Sequence, residues 1–218
     1  MQDSLFFDAH THSGEQLPGE CRILSMDATQ EFTGIPQGRL FTAGLHPWYL
    51  KDDSDVAWEK LLQLAAASNC VGIGECGLDK LRGNQNIQVV WFRRQIRLAK
   101  ELNKPLVLHV VKAHEEARAM LKTENYVGSV YLHGFRGKWS VAEPWLKMGA
   151  FLGISPAALK KPDLTFFQNM DKEKILSESD DSDWPLETIF ASTASCLNMS
   201  AQAWKEQGMK NAKLFYHV

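Results

Sequence analysis

Short apolar runs alternate with longer polar or amphipathic segments along almost the whole chain, and this alternation constrains the fold more than any other feature. It is typical of βα units, in which a buried strand is followed by a connection that leads back to the next strand. The runs are nearly continuous in apolar residues, as expected for parallel strands that are buried on both faces. The predicted strands are residues 5–12, 22–26, 40–45, 70–75, 105–109, 130–133, 151–155 and 175–180.

These strands predict a closed parallel barrel of the (β/α)8, or TIM, type. The chain has 218 residues, which is at the low end for this architecture, so some crossover helices are expected to be short or missing. Before the fourth strand, Asp53, Ser54 and Asp55 are expected to cap a helix. We see no repeat or linker composition that divides the chain, and we expect a single domain over residues 1–218.

Composition narrows the class of protein. With 44% hydrophobic and 23% charged residues, the chain is typical of a globular protein. A formal net charge of -2 gives no general attraction to nucleic acid or membranes, so a polyanion would need a local basic patch. No apolar run has the length of a membrane span and residues 1–4 do not resemble a signal peptide, so we expect a cytoplasmic protein without membrane association. The four cysteines form no Cys-x-x-Cys pair and are expected to be reduced thiols.

Candidate metal ligands fall at the ends of the predicted strands. His10 and His12 are two residues apart at the end of the first strand, so their side chains should project from the same face. Imidazole is a common ligand for zinc and similar metals. Further candidates end the fourth, fifth, sixth and eighth strands, and these are Glu75, His109, His133 and Asp180. Because the carboxyl ends of barrel strands converge on one face, we expect all six residues to share a site.

Four histidines and two carboxylates are more than one metal ion needs. The set therefore predicts two divalent ions about 3.5 to 4 Å apart with a bridging group. Mixed nitrogen and oxygen ligands do not choose sharply among zinc, magnesium and manganese. The alternative is that unrelated polar residues occupy the strand ends.

Six segments resemble, in order, the signatures of TatD-like metal-dependent deoxyribonucleases, which belong to the wider metal-dependent hydrolase superfamily. They are residues 7–12 (FDAHTH), 44–48 (GLHPW), 74–79 (GECGLD), 105–109 (PLVLH), 133–137 (HGFRG) and 178–180 (ESD). The resemblance implies a TIM-type barrel that hydrolyses DNA phosphodiester bonds, often from 3′ to 5′ as an exonuclease, with a metal-activated water. DNA or another phosphodiester is the expected substrate, and no obligate protein partner is evident.

The resemblance also implies a role for each ligand. It assigns one metal to His10, His12 and Asp180, the other metal to His109 and His133, and the bridging position to Glu75. Asp180 is the best candidate to orient or deprotonate the attacking water, and Asp180 and Glu75 are therefore the expected catalytic residues.

Other residues have weaker assignments. His46 matches a family histidine close to the metal centre, so we expect it to bind substrate or to support the ligands, although it could be purely structural. Asp79 and Glu178 are candidates to support the ligands, although the first could be a simple turn residue and the second a solvated carboxylate. Lys112 and Arg136 follow the fifth and sixth strands and are expected to contact phosphate, although loop cations are common in any protein.

Aromatic residues and one glycine motif allow competing interpretations. The indoles of Trp48, Trp139 and Trp184 could stack on nucleobases or could pack in the core. Residues 72–77 (GIGECG) match the pattern G-x-G-x-x-G for dinucleotide binding. We reject this interpretation because no helix is expected at once and because arginines stand where an acidic residue should follow.

Two departures from the family pattern leave the substrate open. Many members carry an arginine two residues after the histidine of the fifth strand, where this chain has Val111. Residues 182–187 (SDWPLE) replace an Arg-Asn segment of many relatives. The alternatives are a small-molecule amidohydrolase, lactonase or phosphoesterase on the same metals, and a metal-stabilised binding protein without catalysis.

Overall fold

The computed structural model describes residues 6–12, 15–31, 34–51 and 54–218. The predicted strand residue Leu5 and the predicted cap residue Asp53 lie outside these ranges. The strands are β1 (Phe6–Thr11), β2 (Glu20–Asp27), β3 (Phe41–Gly44), β4 (Cys70–Asp79), β5 (Leu106–Val111), β6 (Val130–Leu132), β7 (Phe151–Ile154) and β8 (Ile175–Ser177). The α-helices are α1 (Asp55–Ala65), α2 (Gln85–Glu101), α3 (His114–Thr123), α4 (Trp139–Leu146), α5 (Pro156–Leu159), α6 (Leu164–Asn169), α7 (Leu186–Cys196) and α8 (Ala201–Tyr216), with one 3₁₀ turn at Lys172–Lys174.

The eight strands form one sheet in which they follow one another in chain order. Within the described residues, no helix connects β1 to β2 or β2 to β3, which agrees with the expected loss of crossover helices. Among the same residues, no helix has the length and apolar character needed to cross a membrane. The chain divides into two compact units, which we call the terminal unit (Met1–Leu24 with Leu132–Val218) and the central unit (Ser25–Tyr131).

In the terminal unit, the end of β1 lies beside the segment that follows β8. The backbone N–H of Asp180 donates to the His10 carbonyl oxygen at 3.0 Å. Helix α8 holds both strands from outside, because the Tyr216 hydroxyl donates to the Ala9 carbonyl oxygen at 2.7 Å and the Trp204 indole N–H donates to the Ser177 hydroxyl at 3.0 Å. Burial of the large Trp204 side chain supplies the apolar part of this contact.

In the central unit, glycines let three strands approach closely. A Cβ at Gly44 of β3 would overlap the carbonyl oxygen of Glu75 in β4. Gly77 of β4 pairs with His109 of β5 and has φ +143, where a side chain would overlap the His109 carbonyl oxygen. Since glycine adopts such a conformation without steric cost, these positions bring the backbones of β4 and β5 together beside His109.

The predicted ends of β4, β5 and β8 are wrong. Strand β5 continues two residues beyond His109, to Val111. Strand β4 continues through Glu75 to Asp79, with an irregularity in its pairing between Ile73 and Cys76. Glu75 therefore lies inside the strand rather than at its end, because Gly77 continues the pairing instead of ending it. Strand β8 ends at Ser177, and Asp180 follows it with a left-handed backbone (φ 56). The continuation of β4 where a helix should open agrees with the rejection of the dinucleotide-binding motif.

Candidate metal-binding clusters

The first cluster lies in the terminal unit and consists of His10, His12 and Asp180, which we call the terminal cluster. The two histidine Nε2 atoms lie 3.3 Å apart. The Asp180 Oδ1 atom lies 3.7 Å from the Nε2 atom of His12. One ligand atom from each residue lies within 4.8 Å of the others. Two imidazole nitrogens and one carboxylate oxygen that converge in this way match the donor set of a divalent metal.

His133, just after β6, also belongs to the terminal unit. Its ring centroid lies 4.5 Å from that of His10. The neighbouring Gly134 backbone N–H donates to Glu178 Oε1 at 2.5 Å. Glu178 is fully buried, so the interpretation as a solvated carboxylate is wrong, and the side chain holds the loop that carries His133.

A buried carboxylate fixes the backbone around the terminal cluster. Asp8 accepts hydrogen bonds from the Ser179 backbone N–H at 2.9 Å and from the Ser179 hydroxyl at 2.6 Å. Burial raises the pKa of Asp8 to about 6, although the bonds from Ser179 and the charge of Arg22 oppose the rise. Asp8 thereby joins the strand that carries His10 to the residue before Asp180.

The second cluster lies in the central unit and consists of His46, Glu75 and His109, which we call the central cluster. Glu75 Oε2 lies 3.5 Å from His46 Nε2 and 3.6 Å from His109 Nδ1. The three residues are buried, and one ligand atom from each lies within 4.8 Å of the others. The Ser25 hydroxyl donates to the other oxygen of Glu75 at 3.4 Å.

Asp79 fixes the far side of the His109 ring. Its Oδ2 atom lies 3.3 Å from His109 Nε2 and accepts the Trp48 indole N–H at 2.6 Å. Burial opposes ionisation, but the hydrogen bonds from Trp48, Leu81 and His109 lower the pKa of Asp79 below its usual range. A proton held between Nε2 and this carboxylate leaves the Nδ1 lone pair directed at Glu75, an arrangement typical of metal-binding histidines.

The hydrogen bonds of His46 determine which of its nitrogens carries a proton. The Trp48 backbone N–H donates to His46 Nδ1 at 3.2 Å, so Nδ1 must present a lone pair. The neutral ring then carries its proton on Nε2, which faces Glu75. His46 is therefore arranged as a hydrogen-bond donor rather than as a metal ligand.

The donor sets of both clusters fit divalent metals. Each combines imidazole nitrogen with carboxylate oxygen, ligands that zinc and manganese accept readily. In the terminal cluster, His10, His12 and Asp180 would hold the ion. In the central cluster, His109 Nδ1 and Glu75 would do so.

Two predicted substrate contacts remain apart from these clusters. Lys112 follows β5 and Arg136 follows β6, and both side chains are exposed. Within the described residues, no hydrogen bond or ion pair joins either of them to a cluster. Cys76 is fully buried beside Glu75, and burial raises the pKa of its thiol, which disfavours the thiolate that binds metal.

The sequence interpretation missed four residues that orient these clusters. Asp8 and Ser179 link the strands of the terminal unit, and Asp8 could have been found because it alternates with His10 and His12 along β1. Trp48 holds both His46 and Asp79. Asp27 Oδ1 lies 3.5 Å from the His46 backbone nitrogen, and no local pattern in the sequence indicates this contact.

Comparison with known proteins gives consistent matches. The family model described as TatD related DNase matches residues 24–216. The uncharacterized metal-dependent hydrolase YjjV of Escherichia coli K12 is 30% identical over 152 residues, which cover 66% of this chain and 58% of YjjV. The 3′-5′ ssDNA/RNA exonuclease TatD of Klebsiella pneumoniae is 39% identical over 118 residues, covering 52% of this chain and 44% of the relative. The chain thus spans about half the length of the curated relatives that it matches.

Solved structures show the same fold. The crystal structure of the TatD homologue YjjV from Escherichia coli superposes with a TM-score of 0.83 at 20% identity, over 100% of both chains. A TatD family hydrolase from Entamoeba histolytica gives a TM-score of 0.80 at 16% identity, over 97% of both chains. With the observed strand order, these matches confirm the predicted compact (β/α)8 barrel. Because the family model covers most of the sequence, the chain belongs to the TatD related DNase family.

Proposed function

We propose that the protein is a divalent-metal-dependent phosphodiesterase that cleaves DNA from 3′ to 5′ as an exonuclease. The observation that carries the proposal is the 3.3 Å separation of the Nε2 atoms of His10 and His12, with Asp180 Oδ1 beside them. Two imidazoles that face each other around a common point are typical of ligands that share a cation. The name of the Klebsiella pneumoniae relative, a 3′-5′ ssDNA/RNA exonuclease, supports the same class of substrate.

We further propose that the protein uses two metal ions. His10, His12 and Asp180 would hold one ion, and His109 and His133 the other, with Glu75 as the shared carboxylate. The support is the position of each residue in or after a barrel strand, together with the donor geometry inside each cluster. Single-domain organisation over residues 1–218 remains our proposal as well.

Each of these residues would have a separate role in phosphodiester hydrolysis. When bound, the metal ions would lower the pKa of a water molecule and neutralise phosphate charge. Asp180 would orient the attacking water and accept its proton. The His46 Nε2–H group would donate a hydrogen bond to a phosphate oxygen. Lys112 and Arg136 remain proposed contacts to the phosphates further along the strand.

The substrate class can be tested with one panel of assays. Purified protein loaded with zinc, magnesium or manganese is incubated with single-stranded DNA labelled at either end, and with activated phosphate, carboxylate and lactone esters. We expect stepwise shortening from the 3′ end that chelator abolishes. Turnover of the esters without cleavage of DNA would instead favour a small-molecule hydrolase, and metal-dependent melting without any hydrolysis would favour a binding protein.

A matched pair of variants tests whether the central cluster is needed for DNA cleavage. Glu75→Ala is expected to lower DNA cleavage by at least about 100-fold, as is typical for removing a group that stabilises the transition state. The control is Glu101→Ala, which removes an exposed carboxylate at the end of α2. Efficient DNA cleavage by Glu75→Ala would refute the proposal.

We also propose that the protein works in the cytoplasm. All four cysteines are free thiols in the structure. Free thiols are usual in compartments that keep cysteines reduced, which supports this location. Measuring the distribution of the protein between cell fractions would test it directly.

A further inference from the structure

A pocket of about 500 Å³ opens in the central unit. It lies between the residues after β2, the loop after β3 and the first turns of α1. Its lining includes Thr29, Gln30, Tyr49, Lys51 and Lys60. This volume falls within the usual range for small-molecule binding sites.

Tyr49 is the aromatic residue of this pocket that a ligand can reach. Its side chain is 47% exposed. Trp48, which also lines the pocket, is held by the bond from its indole to Asp79, and the Arg82 guanidinium lies 3.9 Å above its ring centroid. One face of Trp48 is therefore already covered, whereas Tyr49 can offer a ring to a planar partner.

The polar lining favours an anion that carries a planar group. Among the described residues that line the pocket, the charged side chains are those of Lys51 and Lys60. Neither lysine makes an ion pair with another residue in the described ranges, and an ammonium group of this kind can bind a phosphate. The Thr29 hydroxyl and the Gln30 amide add groups that can form hydrogen bonds with the polar edge of a base.

One ring contact joins the lining of the pocket to the central cluster. The centroid of Tyr49 lies 5.5 Å from that of His46, the residue arranged as a donor beside Glu75. A strand whose phosphate reaches His46 can therefore place its neighbouring nucleotide against Tyr49.

We propose that this pocket binds one nucleotide of a single-stranded nucleic acid, with the base stacked on Tyr49 and the backbone phosphate contacted by Lys51 and Lys60. The proposal rests on the proposed phosphodiesterase function. It adds a binding position for the nucleotide next to the phosphodiester bond that is cleaved. A base in a duplex cannot lie against Tyr49 without leaving its stack, so the pocket also predicts preference for single strands.

Binding measurements test the stacking contact. Metal-loaded protein is titrated with fluorescent oligothymidylate and oligouridylate whose phosphorothioate linkages resist cleavage, and anisotropy gives Kd. Tyr49→Ala is expected to raise Kd about 5-fold or more, whereas Tyr49→Phe, which keeps the ring, stays within about 2-fold of the wild type. An abasic oligomer of the same length and charge should show almost no difference between the wild type and Tyr49→Ala. Equal weakening for the abasic oligomer, or no weakening for either base-bearing probe, would overturn the proposal.

Salt dependence tests the lysines. The slope of log K against log salt concentration is negative, and each lost phosphate contact on a single strand makes it shallower by about 0.7. We expect this change for Lys51→Gln and Lys60→Gln but not for the control Lys122→Gln, which alters an exposed lysine in the last turn of α3. Unchanged slopes for both pocket variants would overturn the phosphate contacts.

The two proposals fail in different ways. If unmodified oligonucleotides are not hydrolysed but bind with the expected dependence on Tyr49, the nucleotide pocket is supported and the proposed catalysis is refuted. If they are hydrolysed and Kd does not change in Tyr49→Ala, the proposed catalysis is supported and the proposed nucleotide pocket is refuted.

Discussion

Asp79 and His109 form a buried pair in which the carboxylate Oδ2 lies 3.3 Å from the imidazole Nε2. The carboxylate keeps the proton on this side of the ring, so the opposite nitrogen is available as a ligand. Asp79→Asn can donate to Nε2 through its amide and thereby favour the wrong tautomer. We expect the affinity for one metal ion to fall about 10- to 100-fold, measured by competition with a chelator.

The control for this variant is Asp55→Asn, which neutralises an exposed carboxylate in the first turn of α1. If Asp79→Asn binds metal as tightly as Asp55→Asn does, Asp79 has no role in orienting His109.

The link between Asp8 and Ser179 predicts a stability effect. Ser179→Ala removes the hydroxyl that donates to Asp8 at 2.6 Å and leaves a buried carboxylate oxygen without this partner. The free energy of unfolding is expected to fall by about 1 to 3 kcal/mol, measured by urea denaturation. Ser195→Ala, an exposed position on α7, is the control and should change the free energy of unfolding by less than about 0.5 kcal/mol. Equal stability of the two variants would contradict the assigned role.

Sequence patterns predicted the strands and the candidate ligands because both depend on local information. An apolar run such as β5 is visible within a few residues, and the histidine near its end needs no knowledge of the rest of the chain. The extent of β4 was missed because Gly77 is a usual strand breaker. Its role depends on the close approach of His109, which only the paired strand reveals.

The supporting contacts were missed for a related reason. Asp8 and Ser179 are 171 positions apart in the sequence, and no periodic pattern connects them. The same holds for Trp48 and Asp79, which are 31 positions apart and meet only when β3 and β4 pair. The candidate ligands can thus be predicted from the local sequence. The groups that orient them can be identified only from the tertiary structure.

Gln95 predicts a second stability effect, beside His46. Its fully buried amide accepts from the Leu45 backbone N–H at 2.7 Å and donates to the Leu45 carbonyl oxygen at 3.2 Å. Gln95→Leu leaves both backbone groups without these bonds, and the free energy of unfolding should fall by about 2 to 4 kcal/mol. Calorimetry would measure the loss, and a Tm within about 1 °C of the wild type would contradict it.

His114 predicts how stability changes with pH. Burial, followed by the charges of Arg118 and Lys112, lowers the pKa of His114 below the usual histidine value of 6.5. As the pH falls below 6.5, the unfolded chain takes up a proton more readily than the folded protein does, so this group lowers the stability of the fold below that pH and has no such effect well above it. The wild type should therefore lose more stability than His114→Gln between about pH 7.5 and about pH 5.5, measured by urea denaturation. Parallel losses in the two proteins would contradict the lowered pKa.

Glu178 gives the sharpest test of how the terminal unit orients a ligand. Its Oε1 atom accepts the Gly134 N–H, so the carboxylate fixes the backbone next to His133. Glu178→Gln retains an oxygen at this position and should bind metal within about 3-fold of the wild type. Glu178→Ala has no acceptor there, and its metal affinity should fall about 10-fold or more. Both variants lose the same charge, so the comparison separates the hydrogen bond from long-range electrostatics. Isothermal titration with zinc or manganese measures the affinities, and circular dichroism identifies any variant that fails to fold. Equal affinities of the two variants would show that the Gly134 bond does not position His133, whereas tight binding by Glu178→Gln alone would assign that role to the hydrogen bond.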